Sequence, residues 1–359
     1  MIVFHATDLQ VLHVVLPAIG VMYALAGSLM ANSLDRRPWL PTLGSRIRRL
    51  LPPVWLYGAV VLVFGLEATG PHEPLWSRAL FWLIPLRDPS ANIGNSGLVD
   101  TLWYLRTYLW LVLLSPLLLW AFRRAWPVVL LVPFALLPLA TLLGPQPWPG
   151  GGLILNLLTY GGCWLLGFAA NDGLLARVRP WLCVVVAGVL GLGSLAAQLL
   201  LGGGEDNTIR DALWSAAVVL LILRWRPDLS RLARIRWLTR TSAVVNARAV
   251  TIYLWHDLAI VLAVATFRLA GLPGSGWAEL PLVLVFTALA MLLVGWVEDL
   301  AAGRPPALLP RSPAPRRRAG RKLRDEQFGV DPEPAEVVGD LAPVRGVRDD
   351  DRARGQLSQ

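Results

Sequence analysis

Nine long apolar segments constrain the fold of this chain more than any other feature of its sequence. Each runs about 17–25 residues, the length that a helix needs to cross a hydrocarbon layer about 30 Å thick. Hydrophobic residues make up 55% of the 359 residues and charged residues only 16%, against about 25% in soluble domains. The sequence therefore predicts an all-α polytopic membrane protein, with spans at about 10–30, 52–69, 101–122, 126–144, 152–170, 180–201, 209–224, 247–270 and 279–297.

Three further segments complete the predicted architecture. Met1–His5 is similar to the last turn of another helix, so we expect about ten transmembrane helices, the first of them truncated, and a gene start upstream of Met1. Residues 75–86 are Trp-rich and too short to span, which is typical of an interfacial helix. Residues 304–359 are rich in Pro, Arg and Asp, and this composition predicts a disordered tail. The expected organisation is a transmembrane domain over 1–300 and a tail over 301–359.

The arginines indicate how the chain is oriented in its membrane. Arg-rich connections alternate with connections that are poor in basic residues, and basic connections face the cytoplasm. The sequence therefore predicts a multi-pass protein of the plasma (inner) membrane with a cytoplasmic tail. The net charge of +9 is explained by this placement, so no nucleic-acid partner is expected, whereas membrane lipids are. The Arg-rich connections are 35–49, 123–125, 171–179 and 224–246.

Ionisable residues inside spans are costly, and they are therefore candidates for function. Scattered histidines and the separated Cys163 and Cys183 do not form a set with metal-ligand spacing. We expect no metal site, and we interpret both cysteines as packing residues. The ionisable candidates are His5, His13, Arg106, Asp211, His256, Asp257 and Glu298.

Two candidate sites lie toward the N-terminal end. His5 is placed near the external end of its helix, where a neutral imidazole could act as a general base or simply lie at the interface. Arg46 and Arg49 are three residues apart and would share one helix face at the cytoplasmic mouth of a span. Two guanidinium groups on one face are suited to phosphate oxygens, although the positive-inside rule alone would also place them there.

Two further clusters lie within predicted spans. Trp103 and Tyr104 are at the start of a span and could be an aromatic belt or part of a substrate site. Arg106 is about one turn deeper, so its charge needs a partner or a water-filled cavity, unless the side chain extends outward to the membrane surface. Tyr253, His256 and Asp257 share one region of a helix surface near mid-depth. They are either a structural polar cluster between helices or part of a site that binds and activates substrate.

Taken together, several motifs resemble those of one family, the integral-membrane acyltransferase 3 family. Tyr23–Ala31, followed by Ser33–Arg37, is similar to its F-x-L-S-G-F-L segment, and Arg46–Pro52 to its R-x-x-R-x-x-P. Leu102–Leu105 matches L-W-Y-L, and Ile252–His256 matches I-Y-L-W-H. The order and spacing of these motifs extend the resemblance to about residue 297.

The resemblance implies that an acyl group, usually acetyl, passes from acyl-CoA as donor substrate to a hydroxyl of an envelope glycan, a lipid or another small acceptor, with no permanently bound cofactor. His5 corresponds to the family's favoured catalytic base, whose partner Arg would precede Met1. Arg46 and Arg49 correspond to the paired arginines, as candidates for contacting the CoA phosphates. Where many members have a Glu after W-Y-L, this chain has Tyr108.

The resulting hypothesis is an O-acyltransferase. In this hypothesis His5 removes the acceptor proton. The acceptor is oriented, or the developing oxyanion stabilised, by Tyr253, His256 or Arg106. The substrate site includes Trp103, Tyr104, Arg106 and Asp257. Two alternatives stay open from the sequence. One is a transporter or flippase of an envelope lipid or glycan without acyl chemistry, which would not depend on acyl-CoA. The other is a scaffold that acts through its tail.

Overall fold

In a computed structural model, residues 17–65, 102–143, 151–201, 207–225 and 234–308 are described. Within those ranges the regular structure is entirely helical. The predicted interfacial helix, His5, His13 and all but the first residues of the predicted tail lie outside them. The helices, numbered in chain order, are α1 Ala18–Arg36, α2 Trp39–Gly65, α3 Leu102–Leu142, α4 Gly151–Asn171, α5 Leu174–Arg177, α6 Pro180–Leu201, α7 Thr208–Trp225, α8 Arg236–Ala247, α9 Ala249–Leu269, α10 Gly276–Val294 and α11 Trp296–Ala301.

Five of the described helices, namely α3, α4, α6, α9 and α10, are long and apolar enough to cross a membrane. The outer surfaces of α6 and α10 are covered by exposed leucine and valine side chains, such as Leu192, Leu199, Val285 and Leu293. A soluble protein rarely exposes so much contiguous apolar surface. The chain is therefore an all-α membrane protein.

The sequence predicts more spans than these five, and charge explains much of the difference. Helix α2 includes Arg46, Arg48 and Arg49, and α7 includes Arg210 and Asp211. These polar groups lower the mean hydropathy of helices that the apolar pattern alone treats as spans. The predicted spans at 10–30 and 52–69 also extend beyond the described residues.

Helix α2 begins well before the predicted start of its span. Residues 39–49, expected to be part of the Arg-rich connection 35–49, belong to the first half of one helix that continues through Pro52 and Pro53. Buried residues follow a helical spacing along it, at Leu50, Val54, Tyr57 and Val61. A rule based on loop charge cannot distinguish a basic loop from a basic helix. The consequence is that Arg46 and Arg49 lie on a regular helix, as their spacing requires.

The predicted break between two spans at 123–125 is observed inside α3. The helix assignment is continuous from Leu102 to Leu142, but Ala125 has φ −147° and ψ 56°, which is not helical. Two spans are therefore joined with almost no connecting loop. The two predicted cysteine packing residues, Cys163 and Cys183, are both buried thiols.

Helices α1 and α4 approach each other until their backbones touch. A Cβ atom added at Gly27 would collide with the backbone of Trp164, and one added at Gly167 would collide with the backbone of Ala24. Small residues are what permit such close helix packing in membranes. Tyr23 and Trp164 are fully buried beside this contact. The α1–α4 pair forms the tightly packed part of the bundle.

One arginine, just before the break in α3, joins this helix to the C-terminal ends of α1 and α4. The Arg123 guanidinium donates two hydrogen bonds to the Asp35 carboxylate, at 2.8 and 3.1 Å, and two to Asp172, at 3.0 and 2.7 Å. Asn171 Nδ2 donates to Asp35 Oδ2 at 3.1 Å. Connections that the sequence assigns to one side of the membrane therefore meet at one end of the described bundle, which we call the arginine-rich end.

A buried arginine organises the C-terminal helices. Arg248, between α8 and α9, is 1% exposed. It donates to the carbonyl oxygen of Gly295 at 2.7 Å, to Asp299 Oδ2 at 2.7 Å and to the carbonyl oxygen of Ala307 at 2.6 Å. Gly295 separates α10 from α11, so these bonds fix the direction in which α11 leaves the bundle. Burial disfavours the charged form of Asp299, but Arg248 outweighs this and lowers its pKa.

Candidate functional site

A cavity of about 860 Å³ opens at the arginine-rich end. Helices α1, α2, α3, α9 and α11 and the segment that follows α11 surround it. Its wall on α1 extends from Arg36 to Met22, and 14 residues at 1.5 Å each correspond to a depth of about 21 Å. The residues around it are Met22, Leu29, Asn32, Ser33, Arg36, Arg37, Thr42, Ser45, Arg46, Arg48, Arg49, Leu50, Tyr104, Leu105, Tyr108, Ala249, Val250, Tyr253, Glu298, Ala301, Ala302 and Arg304.

The charge of this cavity is strongly positive. Among the described residues, six arginines line it, against one acidic residue, Glu298. Within the described part of the chain, Arg36, Arg37 and Arg48 have no acidic partner. Such a concentration of guanidinium groups, each able to donate several hydrogen bonds, is suited to phosphate or carboxylate groups. The arrangement can hold an extended anionic ligand.

Arg46 and Arg49 contribute to this wall from one face of α2, as their three-residue spacing predicts. Arg46 is half-buried, and its guanidinium donates to Tyr108 Oη at 3.4 Å and to Ser33 Oγ at 3.2 Å. Both partners are neutral, so the charge of Arg46 is not cancelled. Arg49 is more exposed, and its Nη2 lies 4.0 Å from Glu298 Oε1.

The deeper part of the cavity is lined by tyrosines. The Tyr104 and Tyr253 ring centroids are 5.3 Å apart, and those of Tyr104 and Tyr108 are 6.5 Å apart. Tyr23 packs behind them, 4.8 Å from Tyr104 between ring centroids, and its hydroxyl donates to the Tyr104 carbonyl oxygen at 3.0 Å. Rigid aromatic rings give this region a fixed shape, while their hydroxyl groups can orient a polar ligand.

His256 and Asp257 lie next to this wall but do not line the cavity. His256 is 1% exposed, and its Nδ1 is 2.6 Å from the Tyr253 carbonyl oxygen. A carbonyl oxygen only accepts, so Nδ1 is the donor. His256 Nε2 then lies 3.2 Å from Asp257 Oδ1, a distance at which two acceptors would repel. His256 and Asp257 therefore form a close polar pair beside the tyrosine-lined wall.

Of the three candidates near the start of α3, Tyr104 lines the cavity, whereas Trp103 and Arg106 do not. Tyr104 lines the cavity directly, whereas Trp103 is half-buried and stacks on Tyr160 with ring centroids 5.6 Å apart. Arg106 is 5% exposed, so it is held inside the bundle rather than reaching outward. Asp211 receives two hydrogen bonds from the neighbouring Arg210 and does not contact the cavity.

Several residues of the site were not found by sequence reasoning. Arg36, Arg37, Arg48 and Arg304 reach the cavity from three separate segments, and no spacing rule joins them. Arg248 did carry a signal, because it falls inside the predicted 247–270 span, where a charged residue is costly. Its partner Asp299 is 51 residues away. Tyr108 was noted only as a departure from the family pattern.

Comparisons with known proteins are consistent with this arrangement. The sequence profile of the acyltransferase 3 family, described as an acyltransferase domain, matches residues 14–297. The chain belongs to the acyltransferase 3 family. It therefore carries a membrane acyltransferase domain, and the matched region includes helices α1, α2, α3 and α9, which line the cavity, but only the first two residues of α11.

A second comparison is much more local. Over 77 residues the chain is 34% identical to a bacteriorhodopsin from Haloterrigena sp. (strain arg-4). The match covers 21% of this chain, and it spans only 30% of the length of that curated relative. No solved structure matches the chain. The family assignment therefore rests on the profile match alone.

Proposed function

We propose that this acyltransferase moves an acyl group, expected to be acetyl, from acyl-CoA to a hydroxyl of an envelope glycan, lipid or other small acceptor. The observation that carries this proposal is the cavity at the arginine-rich end. CoA combines several phosphate groups with a long neutral arm that ends in the thioester. A deep cavity with arginines at its mouth and tyrosines further inside has the same order of chemistry.

The donor phosphates would bind at Arg46 and Arg49, with Arg36, Arg37 and Arg48 adding positive charge at the mouth. From the positive-inside rule we expect this end to face the cytoplasm, where acyl-CoA is present, in a protein of the plasma membrane. Tyr104, Tyr108 and Tyr253 would then surround the thioester arm. Binding energy gained from the remote phosphates holds the thioester in position for attack.

In the proposed reaction, His5 removes the proton of the acceptor hydroxyl as that oxygen attacks the thioester carbonyl carbon. The new C–O bond forms, the C–S bond breaks, and the departing CoA sulfur takes the proton back from the His5 imidazolium. Tyr253, His256 or Arg106 would stabilise the oxyanion or orient the acceptor, with Trp103, Tyr104 and Asp257 contributing to the acceptor site. His5 lies outside the described residues, so this role derives from the family resemblance.

Transfer of labelled acetyl from acetyl-CoA to membrane and envelope fractions of the native host tests the proposal. We expect a labelled acceptor in wild type and a rate roughly 10²–10⁴-fold lower with His5→Ala. His13→Ala is the matched control and should retain transfer. Full transfer by the His5→Ala variant would eliminate the general-base role.

The transport alternative draws on the buried His256–Asp257 pair, because ionisable groups inside a bundle also suit transport pathways. It makes a different prediction. Folded, inserted protein would give no label from acetyl-CoA or from longer acyl donors, yet its loss would still change the distribution of an envelope lipid or glycan across the membrane.

A further inference from the structure

Within the part of the chain that the structure describes, Glu298 is the one carboxylate that lines the cavity, and its two oxygen atoms have different surroundings. The side chain is fully buried. Oε2 accepts hydrogen bonds from the Thr251 backbone N–H at 3.3 Å and from Thr251 Oγ1 at 3.0 Å. Oε1 has no hydrogen-bond partner within the described residues, and Arg49 Nη2 lies 4.0 Å from it. One half of the carboxylate is thus fixed, and the other half faces an arginine of the proposed donor site.

The Glu298 carboxylate and the Arg49 guanidinium differ in how freely they can move. Glu298 lies on α11, whose direction is fixed by the bonds from Arg248 to Asp299 and to the Gly295 carbonyl oxygen. The backbone that carries its carboxylate is therefore fixed beside the cavity. Arg49 is on the neighbouring helix α2, and its side chain is 48% exposed. A guanidinium with that exposure can turn toward a new anion.

A phosphate group that binds Arg49 must compete with the Glu298 carboxylate. Two anions near one guanidinium repel each other, and the repulsion is stronger where burial limits solvent screening. Burial raises the pKa of Glu298, although the hydrogen bonds from Thr251 and the charge of Arg49 oppose this rise. The Glu298 carboxylate therefore repels the same phosphate groups that the surrounding arginines attract.

We propose that Glu298 is a built-in competitor for Arg49, which holds this arginine while the cavity is empty and weakens the binding of the donor's phosphate groups. This proposal rests on the proposed function, because it takes CoA as the anionic ligand. In a transferase the benefit concerns product release. CoA keeps all the phosphates of the donor after the acyl group has gone, so a site with uncompensated arginines alone would hold the product as firmly as the substrate. Glu298 acts through Arg49 and is a positioning residue.

The test is equilibrium binding of CoA to the purified full-length protein in detergent, measured by calorimetry. Glu298→Gln keeps the side-chain length and an oxygen for Thr251 but removes the charge. We expect CoA to bind roughly threefold to tenfold more tightly than to wild type. A merely structural role would loosen binding, so the direction of the change separates the two explanations.

A double-mutant cycle identifies the arginine concerned. In an Arg49→Gln background, Glu298→Gln should change the dissociation constant by less than about twofold, because the competed group is absent. Asp172→Asn is the charge-matched control. It removes one carboxylate from the same end of the bundle without touching the cavity, and it should leave CoA affinity unchanged.

Each outcome decides the matter. Unchanged or weaker binding by folded Glu298→Gln, or a tightening that persists without Arg49, would overturn the proposal. If the Gln variant does not fold, Glu298→Asp keeps the buried charge but withdraws it from Arg49, and about twofold tighter binding is expected. If wild type and all variants fail to bind CoA, the donor assignment in the proposed function is itself wrong.

Discussion

Two helix interfaces of this protein are built on opposite principles. Helices α1 and α4 meet through glycines at backbone contact, with Tyr23 and Trp164 buried beside them. Helix α11 is held at the start of α9 instead through buried charged groups, because Arg248, the residue before α9, binds Asp299 and Glu298 accepts hydrogen bonds from Thr251. The first interface gains its stability from close packing, whereas the second spends stability on desolvated charges. The comparison indicates that the two interfaces should respond to different substitutions, the first to added volume and the second to the loss of a charge.

The largest effect is expected where the charged interface is broken. Within the described residues, Arg248→Met would leave the buried Asp299 carboxylate with Arg304, at 3.7 Å, as its cationic neighbour, and the carbonyl oxygens of Gly295 and Ala307 would each lose a donor, although Gly295 would keep its bond from the Glu298 N–H. We expect about 3–5 kcal/mol lower unfolding free energy, measured by thermal unfolding in detergent. Arg240→Met, at an exposed position of α8, is the control. Equal stability of the two variants would show that the buried network is dispensable.

The packed interface should respond to a single methyl group. Gly167→Ala places a Cβ atom against the backbone of Ala24, which cannot move aside as a flexible side chain can. The expected cost is about 1–3 kcal/mol. Gly188→Ala on α6 has open space around its added Cβ and should be neutral or slightly stabilising. If both variants unfold at the same temperature, backbone contact is not what holds α1 to α4.

A third prediction concerns the cavity between these two interfaces. Arg46→Gln removes the charge of a half-buried guanidinium whose partners, Tyr108 and Ser33, are neutral. We expect the KM for acyl-CoA to rise by roughly tenfold or more, since a hydrogen bond to a charged group contributes about 1.5–3 kcal/mol. The unfolding temperature should hardly change. Arg240→Gln, away from the cavity, should leave the KM as in wild type, and a similar KM for both variants would exclude Arg46 from donor binding.

The smallest effect is expected at the exposed ion cluster. Asp172→Asn removes one of the two carboxylates around Arg123, but Asp35 still accepts two hydrogen bonds from the same guanidinium. Partly exposed ion pairs typically contribute less than about 1 kcal/mol. We expect a loss of that size in the unfolding free energy in detergent at low salt, decreasing further at high salt. A loss of several kcal/mol would mean that this cluster, rather than α1–α4 packing, fixes the arginine-rich end.

The sequence predicted the helices better than their ends. Apolar length located α6 at 180–201 as observed, because burial in lipid and helix formation follow the same pattern. It failed at α2, where the helix begins at Trp39 inside a segment interpreted as a loop. The arginines lower the hydropathy of that segment, so the span is predicted to start after them. An α-helix at the mouth of a cavity can nevertheless contain arginines.

The site could be predicted only where its residues are close in sequence. Arg46 and Arg49 share a helix face, and Tyr253 and His256 lie together with ring centroids 5.8 Å apart, as their spacings indicate. The contact between Arg49 and Glu298 joins α2 to α11. A pairing at that separation depends on how the bundle packs, which no local pattern encodes. Glu298 was a candidate through its burial cost alone, without a role.

The proposal that the arginine-lined cavity binds the donor is tested most directly by a structure of the full chain with CoA bound, determined by electron cryomicroscopy in detergent or nanodiscs. We expect phosphate density within hydrogen-bonding distance of Arg46 and Arg49, with the pantetheine arm running between Tyr104 and Tyr253. CoA bound elsewhere on the protein, with this cavity empty, would show that the arginine-lined cavity is not the donor site.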